Sequence, residues 1–344
     1  MSEKKIRFGI VGTGVIASFH IKALQQLKEV EIVALCDVNE ENAKKYGEEF
    51  NLYWTTDYTE MLNDSSIDVV DITVPSGLHA DLGIKAAEAG KNVIVEKPID
   101  VLLEKADALI EACKKNNVTL GVISQMRFFD SVMKVYEIVK SGKLGKIIQG
   151  DAYVKWYRSE EYYKSGGWRG TKKLDGGGAF MNQGVHFVDM ILSIMGPVKT
   201  VTGKIKTAVR NIEVEDLGMA MLEYQSGAFG VIQASTAIYP GSPGRFELLG
   251  TRGTLIFEGD DIKTLEIEGE ESFDTDSVIQ GSASNPLNVD ILPYVREFKD
   301  ILEAIKEKRE PKVSGAEARK ALEVILAIYK SSELNETVEL PLKV

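Results

Sequence analysis

Apolar and polar positions follow two different rhythms along the chain. Over residues 6–124, short unbroken apolar runs take turns with stretches of helical spacing. IRFGIVG (6–12) is one such run, closed by the turn residues Gly12, Thr13 and Gly14. VIASFHIKALQQL then sets Ile16, Phe19, Ala23, Leu24 and Leu27 at helical spacing. EIVALCD (31–37) is again an apolar run and ends in Asp37. The rhythm continues with strands over 67–75, 92–98 and 118–124 and helices over 79–90 and 103–117. Apolar strands separated by helices predict a doubly wound parallel sheet.

From residue 125 the rhythm changes. QMRFFDSVMKVYEIVKSG (125–142) predicts a helix and KIIQGDAYVKWY (146–157) a strand. A glycine-opened helix follows over about 177–195, ended by Gly196 and Pro197. Strands then succeed one another with no helix between, from TVTGKIKTAV to TLEIEG, which predicts a large, open, mainly antiparallel sheet. In LGMAML (217–222), Leu217, Met219 and Met221 share one face and Gly218, Ala220 and Leu222 the other, and neither face is polar. A sheet covered on one side only should alternate apolar and polar. An open apolar face predicts a homo-oligomer, a tetramer foremost. Residues 270–290 are polar and unpatterned, so a mobile loop is expected there. Two amphipathic helices close the chain. The expected division is an α/β domain at 1–124 and an α+β domain at 125–344.

Composition agrees with that division. The chain has 344 residues, and at roughly 100–200 residues per domain this suggests two domains. A hydrophobic content of 44% supports a sizeable core. A net charge of −11 without a long basic run argues against a nucleic-acid partner. No stretch approaches 18 apolar residues, so no membrane span is expected. The apolar run near the N-terminus is broken by Gly12 and Gly14 and lacks a signal-peptide cleavage site. Cys36 and Cys113 lie far apart in apolar segments and read as buried, reduced thiols of a cytoplasmic protein. No metal is expected.

The chemistry begins at Gly12-x-Gly14-x-x-Ala17, with Asp37 twenty residues after Ala17. Gly12 permits the tight turn, Gly14 lets the backbone approach a pyrophosphate, and Ala17 lets helix and strand pack closely. Asp37 would accept hydrogen bonds from the adenosine ribose and repel a 2′-phosphate, favouring NAD over NADP. Ligands bind beyond the carboxyl ends of such strands. Ser76, Gly77 and His79 fall at one edge and Glu96, Lys97 and Pro98 at another. A lysine at that edge would face the cofactor crevice, although lysines are commonly solvated. On the 177–195 helix, Asn182, His186, Asp189 and Ser193 follow one helical face, either as a crevice lining or as a solvated stripe. Asp189 either orients His186 or pairs with an arginine. WYRSEEYYKSGGWR (156–169) is dense in aromatics, with Arg158 and Arg169 among them. Aromatic faces pack on sugar rings and guanidinium forks grip carboxylates or phosphates.

GIVGTGVIASFH, VPSGLHA, VEKP, GGWRG and GGGAFMNQGVHFVD together resemble the glucose–fructose oxidoreductase / inositol dehydrogenase family (Gfo/Idh/MocA), over nearly the whole chain. The resemblance implies an NAD(P)-binding Rossmann domain followed by a domain with a large open antiparallel sheet. It implies a cis Lys97–Pro98 bond, a substrate-contacting Lys97 and a catalytic His186. It fills out a cofactor set of Gly12, Thr13, Gly14, Val15, Ile16, Asp37, Val74, Pro75, Ser76, His79, Glu96, Lys97, Pro98, Gln125, Arg127, Trp168 and Arg169. The substrate set it implies is Lys97, Arg127, Tyr157, Arg158, Tyr163, Asn182, Gln183 and His186, with Arg210 beside them. Many members carry Asp where this chain has Asn182. EYYKSGGWRGT, MNQ and RNIEVED look most like the UDP-N-acetylglucosaminuronate 3-dehydrogenase branch, in which Asn at this place is not an anomaly.

Oxidation of a secondary alcohol needs a base for the hydroxyl proton as hydride leaves. An amide at position 182 carries no charge, and removing a carboxylate lowers the pKa of neighbouring cations. His186 is therefore assigned as base, Lys97 as hydroxyl-binding and proton-sharing, and Asn182 as positioning. The leading expectation is an NAD-dependent dehydrogenase of a sugar or nucleotide sugar. The alternatives are a dehydrogenase of a free sugar, polyol or inositol, an eliminase working through transient oxidation, and a non-enzymatic NAD(P)-binding regulator. Retention of Lys97 and His186 speaks against the last.

Overall fold

A computed structural model describes residues 4–271, 273–274 and 290–343. The chain forms two compact units, Met1–Gln125 with Asp290–Arg319, and Met126–Val289 with Lys320–Val344.

The first unit is built on six parallel strands: β1 (Ile6–Val11), β2 (Val30–Cys36), β3 (Trp54–Thr55), β4 (Val69–Ile72), β5 (Asn92–Val95) and β6 (Leu120–Val122). Their order is β3-β2-β1-β4-β5-β6, the doubly wound arrangement the apolar runs predict. The order reverses between β1 and β4, which opens a crevice at their carboxyl ends. The helices of this half are α1 (Val15–Leu24), α2 (Glu40–Phe50), α3 (Tyr58–Asn63), α4 (His79–Glu88) and α5 (Leu103–Lys115). Cys36 and Cys113 are buried and free, as expected.

A break at 124/125 does not anticipate the return of residues 290–319 to this unit. There Phe298 meets Phe8 edge-on at 6.4 Å, and Ile301 fills the space that a side chain at Gly121 would take. Amphipathic spacing says that a helix buries one face; it does not say against which sheet.

The second unit carries α6 (Asp130–Lys140), β7 (Ile147–Lys155), α7 (Glu160–Lys164), α8 (Val185–Met195), β8 (Val198–Lys206), β9 (Leu217–Tyr224), β10 (Phe229–Ser235), β11 (Arg245–Gly250), β12 (Gly253–Glu258), β13 (Asp261–Ile267), β14 (Phe273–Asp274) and β15 (Val338–Glu339). The sheet order is β14-β13-β12-β11-β7-β10-β9-β8-β15. It is mainly antiparallel, but β7 lies between β10 and β11 and runs parallel to β10, so the sheet is not a plain meander. The helix α9 (Leu292–Glu307) belongs to the first unit, and α10 (Gly315–Leu334) has residues in both.

One face of this sheet is covered. Met195 of α8 occupies the space a side chain at Gly150 would need, and Ile328 of α10 does the same at Gly203. On β9, Gly218, Ala220 and Leu222 are buried on that side. On the other side Met219 is 51% exposed, Met221 55% and Phe229 57%. The mobile loop expected at 270–290 lies for the most part outside the described residues. No helix of the described residues is long and apolar enough to cross a membrane.

Candidate active site

The glycine turn follows from sterics. Gly12 sits at φ +93°, and a Cβ there would lie 2.8 Å from the Thr73 carbonyl carbon and oxygen. The Thr73 hydroxyl donates to the Gly12 carbonyl at 2.6 Å and fixes the turn against β4. Around Gly14 there is open space, and α1 starts directly after it with no side-chain cap and no acid in its first turn. By contrast, α2 and α3 are capped by Asn39 and Asp57. The first amides of α1 thus keep their donors and partial positive charge for an anion, which fits a pyrophosphate. Asp37 Oδ2 accepts from the Thr13 amide at 2.7 Å and the Thr13 hydroxyl at 2.9 Å, and Oδ1 accepts from the Asn39 amide at 2.8 Å. A carboxylate offers about four acceptor sites, so three donors leave room for a ribose hydroxyl. These residues fit NAD.

At the other strand edges, Lys97–Pro98 is cis and Lys97 is half-buried. The Glu96 and His79 side chains are buried at these edges. His79 Nδ1 lies 2.7 Å from the Pro98 carbonyl and Nε2 2.9 Å from that of Val74, so the ring braces the two edges. Val74 and Pro75 are half-buried, and Ser76 and Gln125 are buried. Glu96 Oε2 accepts from the Lys97 amide at 3.1 Å, while Oε1 meets His20 Nε2 at 3.0 Å. His20 Nδ1 meets Asp71 at 2.8 Å. Burial pulls the His20 pKa down, yet the charges and hydrogen bonds of Asp71 and Glu96 outweigh it and raise it to about 10. A buried imidazolium between two carboxylates therefore stands directly behind Lys97.

In the second unit, the predicted 177–195 helix is two structures. Ala179–Gly184 form a π-turn and only Val185–Met195 are α-helical. π-turns often occur at functional sites. Glu215 holds this one in place. Its Oε2 accepts from the Gly178 amide at 2.9 Å, and its Oε1 from the Phe180 amide at 2.9 Å and the Tyr329 hydroxyl at 2.8 Å. Its own carbonyl accepts from Ala179 at 2.9 Å, and a side chain at Gly178 would run into that oxygen. Burial raises the Glu215 pKa to about 7, against the pull of these donors.

The π-turn also breaks up the polar stripe. Asp189 takes both Arg127 Nε at 2.6 Å and Nη2 at 2.5 Å, and the Ser193 and Tyr136 hydroxyls lie 2.7 Å apart. Asp189 is buried and Ser193 half-buried, so this part of the stripe is not a solvated face. His186 is buried one turn after Asn182. The neutral amide of Asn182 has a carboxylate as its neighbour: its Nδ2 donates to Asp175 Oδ1 at 2.5 Å. Gln183 Nε2 donates to Asn182 Oδ1 and to the Tyr162 hydroxyl, both at 2.9 Å.

The 156–169 segment forms a ladder of alternating rings and guanidinium groups. Arg158 lies 5.7 Å from the Trp156 ring and 5.4 Å from that of Tyr162. Arg169 lies 4.7 Å from Tyr162 and 5.0 Å from Trp168. Arg210 stands 5.1 Å over Tyr157, and its Nη2 donates to the Arg158 carbonyl at 2.6 Å. Tyr163, expected at the substrate, instead packs inward with its hydroxyl 2.7 Å from that of Thr236, and its neighbour Tyr162 reaches the amides. A two-residue aromatic pair on one helical turn does not tell which member faces in.

Sequence reasoning missed Tyr162, Asp175, Glu215 and His20. Asp175 stands seven residues before Asn182, next to the glycines, where its proximity was a usable signal. His20 is 76 residues from Glu96, and no local pattern connects them.

Family models match this chain twice. Residues 6–124 match the oxidoreductase family, NAD-binding Rossmann fold, and residues 132–256 match the GFO/IDH/MocA C-terminal domain. Among solved structures, the chain is similar to the WlbA dehydrogenase from Bordetella pertussis in complex with NADH and UDP-GlcNAcA. The identity is 31%, covering 99% of this chain and 100% of that one, with a TM-score of 0.89. It is also 27% identical to scyllo-inositol 2-dehydrogenase (NAD(+)) of Bacillus subtilis, over 99% of this chain and 98% of the relative. Myo-inositol 2-dehydrogenase of Thermotoga maritima is 26% identical over 97% and 98%.

Proposed function

Because the chain belongs to the GFO/IDH/MocA oxidoreductase family and carries its NAD-binding Rossmann fold, we propose that it oxidises a secondary hydroxyl of a nucleotide sugar, the 3-hydroxyl of a UDP-N-acetylhexosaminuronate foremost. The observation that carries this reading is the Trp156–Arg158–Tyr162–Arg169–Trp168 ladder, joined through Tyr162 to Gln183 and Asn182. Rings suit sugar faces, and guanidinium groups suit a uronate or a diphosphate. The WlbA dehydrogenase, similar over its whole length, was solved with a ligand of this kind.

NAD, when bound, accepts the hydride from the carbinol carbon. His186 takes the hydroxyl proton as general base, Lys97 binds the hydroxyl and shares that proton, and Asn182 orients the sugar. Asp37 selects NAD over NADP. A free polyol or inositol is the second reading, supported by the inositol dehydrogenase relatives. The open face bearing Met219, Met221 and Phe229 is covered by further copies of this chain, as a tetramer.

A thermal-shift screen with NAD present, comparing UDP-sugars, sugar acids and polyols, separates these readings. UDP-N-acetylglucosaminuronate should give the largest shift. A shift with inositols alone moves the assignment to the second reading, and tighter binding of NADPH than NADH removes the role of Asp37. Sedimentation at micromolar concentration should give a species heavier than the 37.9 kDa chain.

A further inference from the structure

An amide at position 182 raises a problem that a carboxylate would not. A carboxylate presents an acceptor whichever way it turns, whereas an amide presents an acceptor or a donor depending on its orientation. Something must set the direction. Resting on the reading that Asn182 touches the substrate, we propose that Asp175 is a positioning residue that holds the Asn182 amide with its oxygen, not its nitrogen, on the substrate side.

Asp175 is itself fixed. It is 2% exposed, its amide donates to the Thr171 carbonyl at 3.1 Å, and its Oδ2 accepts from the Gly170 amide at 2.7 Å. Its Oδ1 then faces Asn182 at 2.5 Å. An ionised carboxylate has nothing to donate, so the atom of Asn182 that meets it must be the NH2 group. The far side agrees: Gln183 Nε2 donates to Asn182 Oδ1 at 2.9 Å, and the Tyr162 hydroxyl lies 3.4 Å from the same oxygen. The acceptor therefore points toward Tyr162 and the arginine–aromatic ladder. The negative charge that an aspartate at 182 would carry is kept one hydrogen bond further back.

Exchanging the two groups tests this. In Asp175→Asn, the Gly170 amide still needs an acceptor, so the new side-chain oxygen stays there and the new NH2 faces Asn182. Asn182 must reverse, and it then presents a donor. The expected result is a loss of about 10- to 100-fold in kcat/KM with UDP-N-acetylglucosaminuronate and NAD. Asn182→Asp alone sets two carboxylates 2.5 Å apart. They should share a proton, and activity should fall as pH rises and removes it. The double variant Asp175→Asn with Asn182→Asp restores one donor facing one carboxylate and should recover at least tenfold over Asp175→Asn, with the pH dependence of Asn182→Asp abolished. A merely structural Asp175 gives no such rescue.

A double variant no better than Asp175→Asn, or wild-type kcat/KM in Asp175→Asn, overturns the proposal. An atomic-resolution crystal structure of Asp175→Asn gives a readout independent of substrate. Reversed amides at Asn182 and Gln183 support the role of Asp175, and unreversed ones overturn it. If the unmodified enzyme turns over no nucleotide sugar, the functional reading fails, and this structure still decides the role of Asp175.

Discussion

Each unit keeps a buried carboxylate that holds backbone amides, at Lys97 in one and at the head of the π-turn that carries Asn182 in the other, and the two are neutralised differently. In the first unit, Glu96 holds the Lys97 amide and is matched by the His20 cation, which Asp71 also grips. In the second, Glu215 holds the amides of Gly178 and Phe180 at the head of the π-turn, and its further side-chain partner among the described residues is the neutral hydroxyl of Tyr329. A paired charge stays charged across the working pH range. An acid held by dipoles alone loses to desolvation and takes up a proton near neutrality. The first anchor is therefore indifferent to pH around 7 and the second is not.

The strongest way to break this contrast is to remove the cation. His20→Leu removes the cation that Asp71 and Glu96 share, and should cost about 3–5 kcal/mol of stability. Chemical denaturation of the variant measures it, and an unchanged midpoint would mean that the cluster is not ionic. For wild-type His20 the sign is that of a raised cation: its pKa rises from 6.5 to about 10, so its stabilisation is complete below 6.5 and is lost as pH rises through 10.

Glu215 comes next. Its pKa rises from 4.5 to about 7, so the folded state holds a proton that the unfolded chain has released. Its contribution is complete below pH 4.5 and is lost as pH rises through 7, a change of about 3 kcal/mol. Glu215→Gln cannot titrate and should lack this component, so the difference in stability between variant and wild type should vary across that window. A difference independent of pH would place the Glu215 pKa at its ordinary value. Smallest of the three, Tyr329→Phe deletes one donor to Glu215 Oε1 and should cost about 1 kcal/mol at pH 8, less at pH 5 where the acid is protonated. An equal cost at both values would separate Tyr329 from the titration.

The contrast also marks what could be read from the sequence. The first half was legible because its determinants are local: Gly12, Gly14, Ala17 and Asp37 follow one another within a single strand–turn–helix–strand unit. The alternation on β9 likewise separated Met219 and Met221 from Ala220 and Leu222, as the structure does, but with both faces apolar it did not tell which is exposed. The π-turn was not legible, because a window over 177–195 has helical spacing throughout and the constraint that distorts it, Glu215, lies 35 and 37 residues beyond the amides it binds. The Asp175 carboxylate beside the neutral Asn182 amide was not anticipated, because it belongs to the turn before the glycines. Residues 290–319 were placed with the wrong neighbours because amphipathic helices do not name their partners.

The central claim is that His186 is the base of an NAD-dependent sugar dehydrogenase, and NADH formation followed at 340 nm tests it most directly. With NAD and UDP-N-acetylglucosaminuronate, the unmodified protein should produce NADH, and His186→Ala should remain folded and NAD-binding while turnover falls roughly 10²–10⁴-fold. Near-normal turnover in His186→Ala would contradict the account.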